Sequence, residues 1–215
     1  MRRLLIIRPE PGASATTAKA REMGLDAMSV PLFAVQPLTW GAIEPADYRG
    51  IVATSANAFR HGGKQLESLR ALPVHAVGEA TAEAAREAGF EVATVGEGGR
   101  IELGERLPAG RLLHLAGADH LAVEAAEAVA VYANIAIDPP PAIDVAEAVV
   151  MVHSPRAGRR LADLVQERGR TVIAAISDKA VQACGPGWER MAVASMPREP
   201  ALLALAAKLC QNEGR

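Results

Sequence analysis

A few hydroxyl-bearing and small residues, Ser55, Gly78, Thr81, Ser154 and Ser177, stand where this chain could do chemistry, and a tyrosine, Tyr132, stands apart from them. Each of the five falls at, or within one turn of, the point where an apolar run gives way to a helical pattern. Examples are Ile51-Val52-Ala53-Thr54-Ser55-Ala56-Asn57 and Val149-Val150-Met151-Val152-His153-Ser154. The carboxyl ends of strands are where open α/β sheets bind ligands. A serine there also suits an N-cap, accepting a hydrogen bond from an orphan amide of the helix it opens. The two uses are compatible, because helix-start N–H groups also attract anions. Tyr132 is the sole aromatic residue of Val129-Ala130-Val131-Tyr132-Ala133-Asn134-Ile135. It is either core or a proton donor, since a phenol keeps its proton at neutral pH and can give it to a departing group.

Other catalytic signatures are missing or incomplete. There is no Walker-type phosphate loop. Gly96-Glu97-Gly98-Gly99 follows a strand-like run but lacks the third spaced glycine and the downstream acid of a dinucleotide fingerprint, so it reads as a turn. Ser55 sits at a strand-to-helix turn without the flanking glycines of a nucleophile elbow. His61, His75, His114, His120 and His153 show no i, i+4 pairing for zinc, and Cys184 and Cys210 have no ligand spacing. His153 and Ser154 are strand neighbours pointing to opposite faces, which rules out a dyad. No metal and no cofactor is expected.

The elements that must position these residues are written twice, at an offset of 99 residues that takes Ser55 to Ser154, Val77 to Ile176 and Gly78 to Ser177. Each copy reads strand, helix, strand, turn, helix: strand 50–54, helix 56–69, strand 74–77 and helix 79–88, then a second set within 148–194. Apolar strands alternating with helices imply parallel sheets covered on both faces. Two further stretches, 3–35 and 111–137, also read strand, helix, strand, the second with a helix expected near 119–127. A strand at 91–95, a short helix at 101–107 and a closing amphipathic helix at 199–209 complete the pattern. One such stretch added to each repeat gives about five parallel strands per sheet.

Composition narrows the class. The chain has 215 residues, 50% hydrophobic and 22% charged, enough for two small domains with cores of Ala, Val, Leu and Ile, since aromatics are only 3%. A net charge of -2 offers no global field for nucleic acid or an anionic membrane. The opening apolar run ends at Arg8-Pro9, too short for an export signal, so a reduced, cytoplasmic, monomeric protein is expected. Pro31, Pro37 and Pro139-Pro140-Pro141 mark places where neither ladder nor helix continues. They favour two crossings between domains: residues 1–35 with 139–215 as a discontinuous domain, and 37–137 as an inserted one. The expected fold is α/β, with two similar flavodoxin-like domains joined by a two-stranded connector and a ligand cleft between them.

In order and spacing the chain resembles the uroporphyrinogen-III synthase family. The resemblance rests on Ile6-Ile7-Arg8-Pro9, Ala53-Thr54-Ser55-Ala56-Asn57-Ala58 and Ala76-Val77-Gly78-Glu79-Ala80-Thr81-Ala82. It continues through Gly89, Tyr132, Val152-His153-Ser154 and Val193-Ala194-Ser195-Met196-Pro197. It implies a cofactor-free lyase of tetrapyrrole (haem) biosynthesis that cyclises hydroxymethylbilane to uroporphyrinogen III, inverting ring D and losing water. It also implies delivery of the bilane by hydroxymethylbilane synthase. Tyr132 would assist departure of the hydroxyl, and Arg8, Ser55, Ala56, Asn57, Gly78, Thr81, Ser154 and Ser177 would hold the substrate's carboxylates. One departure is Ser177-Asp178-Lys179-Ala180-Val181, where the family has Gly-x-x-Thr-Ala, so that Ala180 lacks the hydroxyl of Thr81. A non-catalytic relative and a two-lobed binding protein for anionic small molecules remain the alternatives.

Overall fold

A computed structural model gives the structure of the protein and describes residues 1–97, 100–124 and 126–211, with Arg100 by its backbone alone. The chain opens with β1 (Arg3–Ile6), α1 (Gly12–Glu22), β2 (Ala27–Ser29) and β3 (Phe33–Pro37). It continues through β4 (Gly50–Ala53), α2 (Asn57–His61), a 3₁₀ segment at Lys64–Leu69, β5 (Val74–Ala76), α3 (Glu79–Glu87) and β6 (Val92–Val95). Next come α4 (Arg100–Glu105), β7 (Leu112–Gly117) and β8 (Ala126–Ala136). The last elements are β9 (Ala148–Val152), α5 (Pro155–Leu164), β10 (Val172–Ala175), α6 (Asp178–Ala183), β11 (Arg190–Val193) and α7 (Glu199–Gln211). They form two compact units, Met1–Ala34 with Ala136–Arg215, and Val35–Ile135. Among the described residues, no helix is long and apolar enough to cross a membrane.

The first unit is a five-stranded parallel sheet in the order β11-β10-β9-β1-β2, a doubly wound flavodoxin-like arrangement. Because strand side chains alternate, its apolar runs feed two cores at once. Leu4, Ile6, Val149, Met151, Val172 and Ala174 pack with α1 and α7, through residues such as Ala13, Ala20, Leu202 and Ala206. Leu5, Ile7, Val150, Val152, Ile173 and Ala175 pack with α5 and α6, through Ala157, Leu161 and Ala180.

The second unit has the order β3-β8-β7-β4-β5-β6. The five strands from β8 to β6 are parallel, and β3 is added to β8 at the edge. The bonds Leu38 N to Val131 O (3.0 Å) and Ile137 N to Leu32 O (3.1 Å) show that β3 and β8 run antiparallel. One face is built from Ile51, Ala53, Val74, Ala76, Leu113 and Leu115 with residues of α2 and α3. The other is smaller, with Val52, Leu103, Leu112 and Val123.

The repeat of 99 residues holds to the single rung in the β4–β5 and β9–β10 ladders. Ile51 pairs with Val74 as Val150 pairs with Ile173, and Ala53 with Ala76 as Val152 with Ala175. The next bonds repeat as well: Val77 N to Ala53 O at 3.0 Å, and Ile176 N to Val152 O at 2.9 Å. Two helices stop alike. After α1 and α3 the chain turns at Gly24 (φ +78°) and Gly89 (φ +85°), and Leu25 N and Phe90 N reach back to Ala20 O and Ala85 O at 3.1 and 3.0 Å. Glycine takes this left-handed stop without steric cost.

Two sequence expectations are corrected. The helix expected near 119–127 is not present among the described residues there: 118–124 are irregular and β8 begins at Ala126. Alanine-rich propensity loses to the ladder, in which Glu127 pairs with Leu113 and its carboxylate takes bonds from Arg111 and Tyr48. The helix expected at 56–69 is broken at Gly62-Gly63 into α2 and the 3₁₀ segment. Within 3–35, β2 and β3 are separate strands with Pro31 between them. Gly98 and Gly99 of the expected 96–99 turn lie outside the described residues, as does Ala125.

Candidate active site

In a doubly wound sheet the ligand crevice opens at the carboxyl edge where successive connections run in opposite directions. In the second unit that point lies between β4 and β7, and in the first between β1 and β9. Most of the residues singled out in the sequence lie on these two edges.

On the edge of the second unit, β4 leads into Thr54, Ser55 and Ala56, and beside it β5 leads into Val77 and Gly78. Ser55 Oγ accepts from Asn57 N at 3.2 Å, and Ala56 and Asn57 are half-buried at the start of α2. Gly78 caps α3 without a side chain, leaving its carbonyl to accept from Thr81 N and Ala82 N at 3.0 and 3.1 Å. Thr81 is buried in the first turn of α3. On the other side of β4, β7 ends at Gly117, and Tyr132 of β8 pairs with that glycine. Tyr132 is 8% exposed, its ring part of the main core cluster of this unit. The structure therefore brings Ser55, Ala56, Asn57, Gly78, Thr81 and Tyr132 onto neighbouring strands of one edge. Tyr48, the other tyrosine, belongs to the opposite edge, where its hydroxyl donates to Glu127 at the start of β8 at 3.1 Å.

Two histidines that the sequence offered only as scattered residues join this edge. His114 is fully buried on β7, and its Nε2 is 3.1 Å from Thr54 Oγ1, a hydrogen bond that spans the crevice between β7 and β4. His120 stands edge-on to it, with ring centroids 5.5 Å apart and planes at 89°, and donates from Nδ1 to Gly117 O at 2.9 Å.

The first unit's edge is built on the same plan with different chemistry. Ser154 and Ser177 are true N-caps: Ser154 Oγ accepts from Ala157 N at 3.1 Å and Ser177 Oγ from Ala180 N at 3.3 Å. Pro155 at the first position of α5 has no amide hydrogen, so this helix start offers fewer donors than that of α3. Ala180, the residue lacking the family hydroxyl, is fully buried where α6 meets α5. A methyl on Gly158 of α5 would lie 2.8 Å from Ala180 O, a contact that leaves little space around that turn.

Arg8 follows β1 into a group the sequence did not announce. Its Nη1 donates to Glu199 Oε2 at 2.9 Å, Thr16 Oγ1 donates to Glu199 Oε1 at 2.5 Å, and His153 Nε2 meets Glu199 Oε2 at 3.0 Å. Burial works against the Glu199 charge, but the bonds from His153 and Thr16 and the charges of His153 and Arg8 outweigh it, holding this carboxyl at about 2. Glu199 lies 191 positions from Arg8, so no local signal could have paired them. The carboxyl edge of the first unit thus carries an internal ion pair, and that of the second carries hydroxyl, imidazole and phenol groups. Among the described residues, no group of three His, Cys, Asp or Glu side chains could hold a metal ion.

Known proteins share both the sequence pattern and the fold. The structure is similar to the uroporphyrinogen-III synthetase of Helicobacter pylori, at 16% identity with a TM-score of 0.68, covering 97% of this chain and 100% of that one. It is also similar to a mutant uroporphyrinogen III synthase of Thermus thermophilus, at 14% identity with a TM-score of 0.52, covering 99% of this chain and 100% of that one. At such identities the likeness shows the fold. Comparison with curated protein sequences finds no match. The sequence over residues 14–204 matches the family model of uroporphyrinogen-III synthase HemD. With that match spanning most of its length, the chain belongs to the uroporphyrinogen-III synthase family.

Proposed function

We propose that the protein is a uroporphyrinogen-III synthase that closes hydroxymethylbilane to uroporphyrinogen III, with inversion of ring D and loss of water. The observation that carries this reading is the place of Tyr132 on the crevice edge of the second unit, beside the Ser55 and Gly78 turns. Departure of the terminal hydroxyl needs a proton, and the Tyr132 phenol is the donor in this reading. The resulting azafulvene is attacked by the substituted carbon of ring D. The spiro intermediate opens and recloses with the ring turned over, and a proton is lost as the pyrrole is restored. No electrons are exchanged and no group is transferred, so the reaction calls for no cofactor.

Without an enzyme the bilane closes directly to isomer I. The protein's contribution is therefore chiefly the folded shape it imposes on the chain of rings. Acetate and propionate groups would be held by amide hydrogens at the starts of α2 and α3 on one edge. Arg8 and the capped turns at Ser154 and Ser177 would serve on the other. The bare Gly78 cap supports this role for α3, because no side chain competes for the first-turn amides there. The bilane's tendency to close unaided also favours its delivery straight from hydroxymethylbilane synthase.

The test is to incubate the protein with enzymatically generated hydroxymethylbilane, oxidise the product to porphyrin and measure the III:I ratio. Isomer III in excess, surviving exhaustive chelation, supports the reading. Isomer I alone, at the spontaneous rate, would leave a non-catalytic relative.

A further inference from the structure

The hydroxyl end of Tyr132 rests on a residue that has no side chain. Gly117 pairs with Tyr132 where the ladder slips: Ala116 is opposite Ala130, and Gly117 is opposite Tyr132. Ala118 N then donates to Tyr132 O at 2.8 Å and fixes the slipped register. A methyl group on Gly117 would lie 2.8 Å from Tyr132 Cζ and 2.9 Å from both its Cε2 and its hydroxyl oxygen. All three atoms are at the phenol end of the ring. Gly117 does not lie in the left-handed region, so its backbone does not call for glycine. What calls for it is space for the phenol. Carbon and oxygen do not approach carbon so closely in a packed interior, so any larger residue must push the hydroxyl away.

The seat is held from both sides. His120 Nδ1 donates to Gly117 O at 2.9 Å and closes the turn that follows β7. The His120 ring meets His114 edge-on, and His114 is bonded to Thr54 at the end of β4. A strand end tied in this way cannot yield to a new methyl group as a loose turn would.

We propose that Gly117 is a positioning residue for the Tyr132 hydroxyl, its missing side chain forming the seat and His120 holding that seat in place. The proposal rests on the reading of Tyr132 as the group that assists departure of the hydroxyl. Neither residue touches substrate in this account. They act through the phenol.

The experiment compares the full-length protein with its Gly117→Ala, Tyr132→Phe and doubly substituted forms, labelled with ¹³Cζ-tyrosine. The chain has two tyrosines, so Tyr48→Phe assigns the resonances. Gly117→Ala should move the Tyr132 resonance and leave that of Tyr48 in place. It should lower kcat for isomer III by about 10- to 100-fold, the effect of misplacing a reacting group by about an ångström, with little change in KM. Added to Tyr132→Phe, it should cost nothing more. An unmoved Tyr132 resonance, or an equal further loss in the Tyr132→Phe background, overturns the proposal. If wild type makes no isomer III, the functional reading fails and the resonance alone decides the positioning. If Gly117→Ala does not fold, exposed His120 decides. His120→Gln, which can still donate to Gly117 O, should keep more kcat and a less shifted resonance than His120→Ala, and equal effects overturn the proposal.

Discussion

Arg8 and Glu199 meet at 2.9 Å just beyond the carboxyl ends of β1 and β9, although 191 positions separate them in the chain. With Thr16 and His153 they place a charged group at the crevice of one unit, whereas the equivalent crevice of the other is bridged by Thr54 and His114. Two halves whose β4–β5 and β9–β10 ladders agree rung for rung differ in the chemistry they present.

Glu199 sets an acid limit to stability. Its carboxyl is held at about 2 against an ordinary 4.5. A depressed value means that the stability it lends is complete above 4.5 and is lost as pH falls toward 2. The side chain is 25% exposed, and the shift corresponds to on the order of 3 kcal/mol. Chemical unfolding of the wild type should show this decline between those values. In Glu199→Gln the decline should be smaller and stability at neutral pH lower. Equal slopes for the two proteins would contradict this account.

Loss of the Tyr132 hydroxyl should affect rate far more than stability. The ring fills the core in either form, so Tyr132→Phe should melt close to wild type. The rate of isomer-III formation should fall by about two orders of magnitude, equivalent to about 2.7 kcal/mol of transition-state stabilisation. An unchanged rate would assign the proton to another group, and a large fall in melting temperature would make the residue structural.

Gly78→Ser copies Ser177 of the other unit. Gly78 has φ −179° and a new Cβ there would meet only Gly96 O, at 3.8 Å, so serine fits without strain. Its hydroxyl should cap Thr81 N as Ser177 caps Ala180 N, raising stability by a few tenths of a kcal/mol. The added hydroxyl would also stand over the first-turn amides proposed to hold substrate, so KM should rise. A thermal melt and a substrate titration check the two halves separately, and a KM at the wild-type value would remove α3 from the binding site.

His75 should make the second unit sensitive to mild acid. It is 5% exposed, bonded through Nδ1 to Thr94 Oγ1 at 3.1 Å, with Nε2 buried and unpartnered. Burial pushes this imidazole below its ordinary 6.5. The unfolded chain therefore takes up the proton first, and stability falls as pH drops below 6.5. His75→Leu removes the titration, so unfolding free energies at about pH 7.5 and pH 5 should differ less in the variant than in wild type. If they differ equally, another group carries the dependence.

Much of this was legible from residues a few positions apart. The unbroken apolar run Val149-Val150-Met151-Val152 shows a strand buried on both faces, and both faces are covered. Ser154 and Ser177 stand where caps are needed, and they cap. The repeat spacing of 99 residues carried through to the register of the β4–β5 and β9–β10 ladders, because an equal separation between paired strands places equivalent residues on equivalent rungs. The stretch 119–124 misled because its alanine content speaks only for local propensity, while Glu127 and its neighbours are decided by strand pairing and by Arg111 and Tyr48.

The sequence by itself determined the class of fold, the strand ends and the candidate hydroxyls, since periodicity, caps and turns are settled by interactions within a few residues. Only the tertiary structure decided that β1 lies beside β9 and β4 beside β7. The first pairing, with α7 packed on it, brings Glu199 to Arg8 and His153, and the second brings His114 to Thr54. The slip in the β7–β8 ladder, which sets the Tyr132 phenol on Gly117, is likewise a property of two strands together. The physical reason is that which strands become neighbours is decided by cores assembled from distant segments, and a crevice exists only once those strands lie side by side.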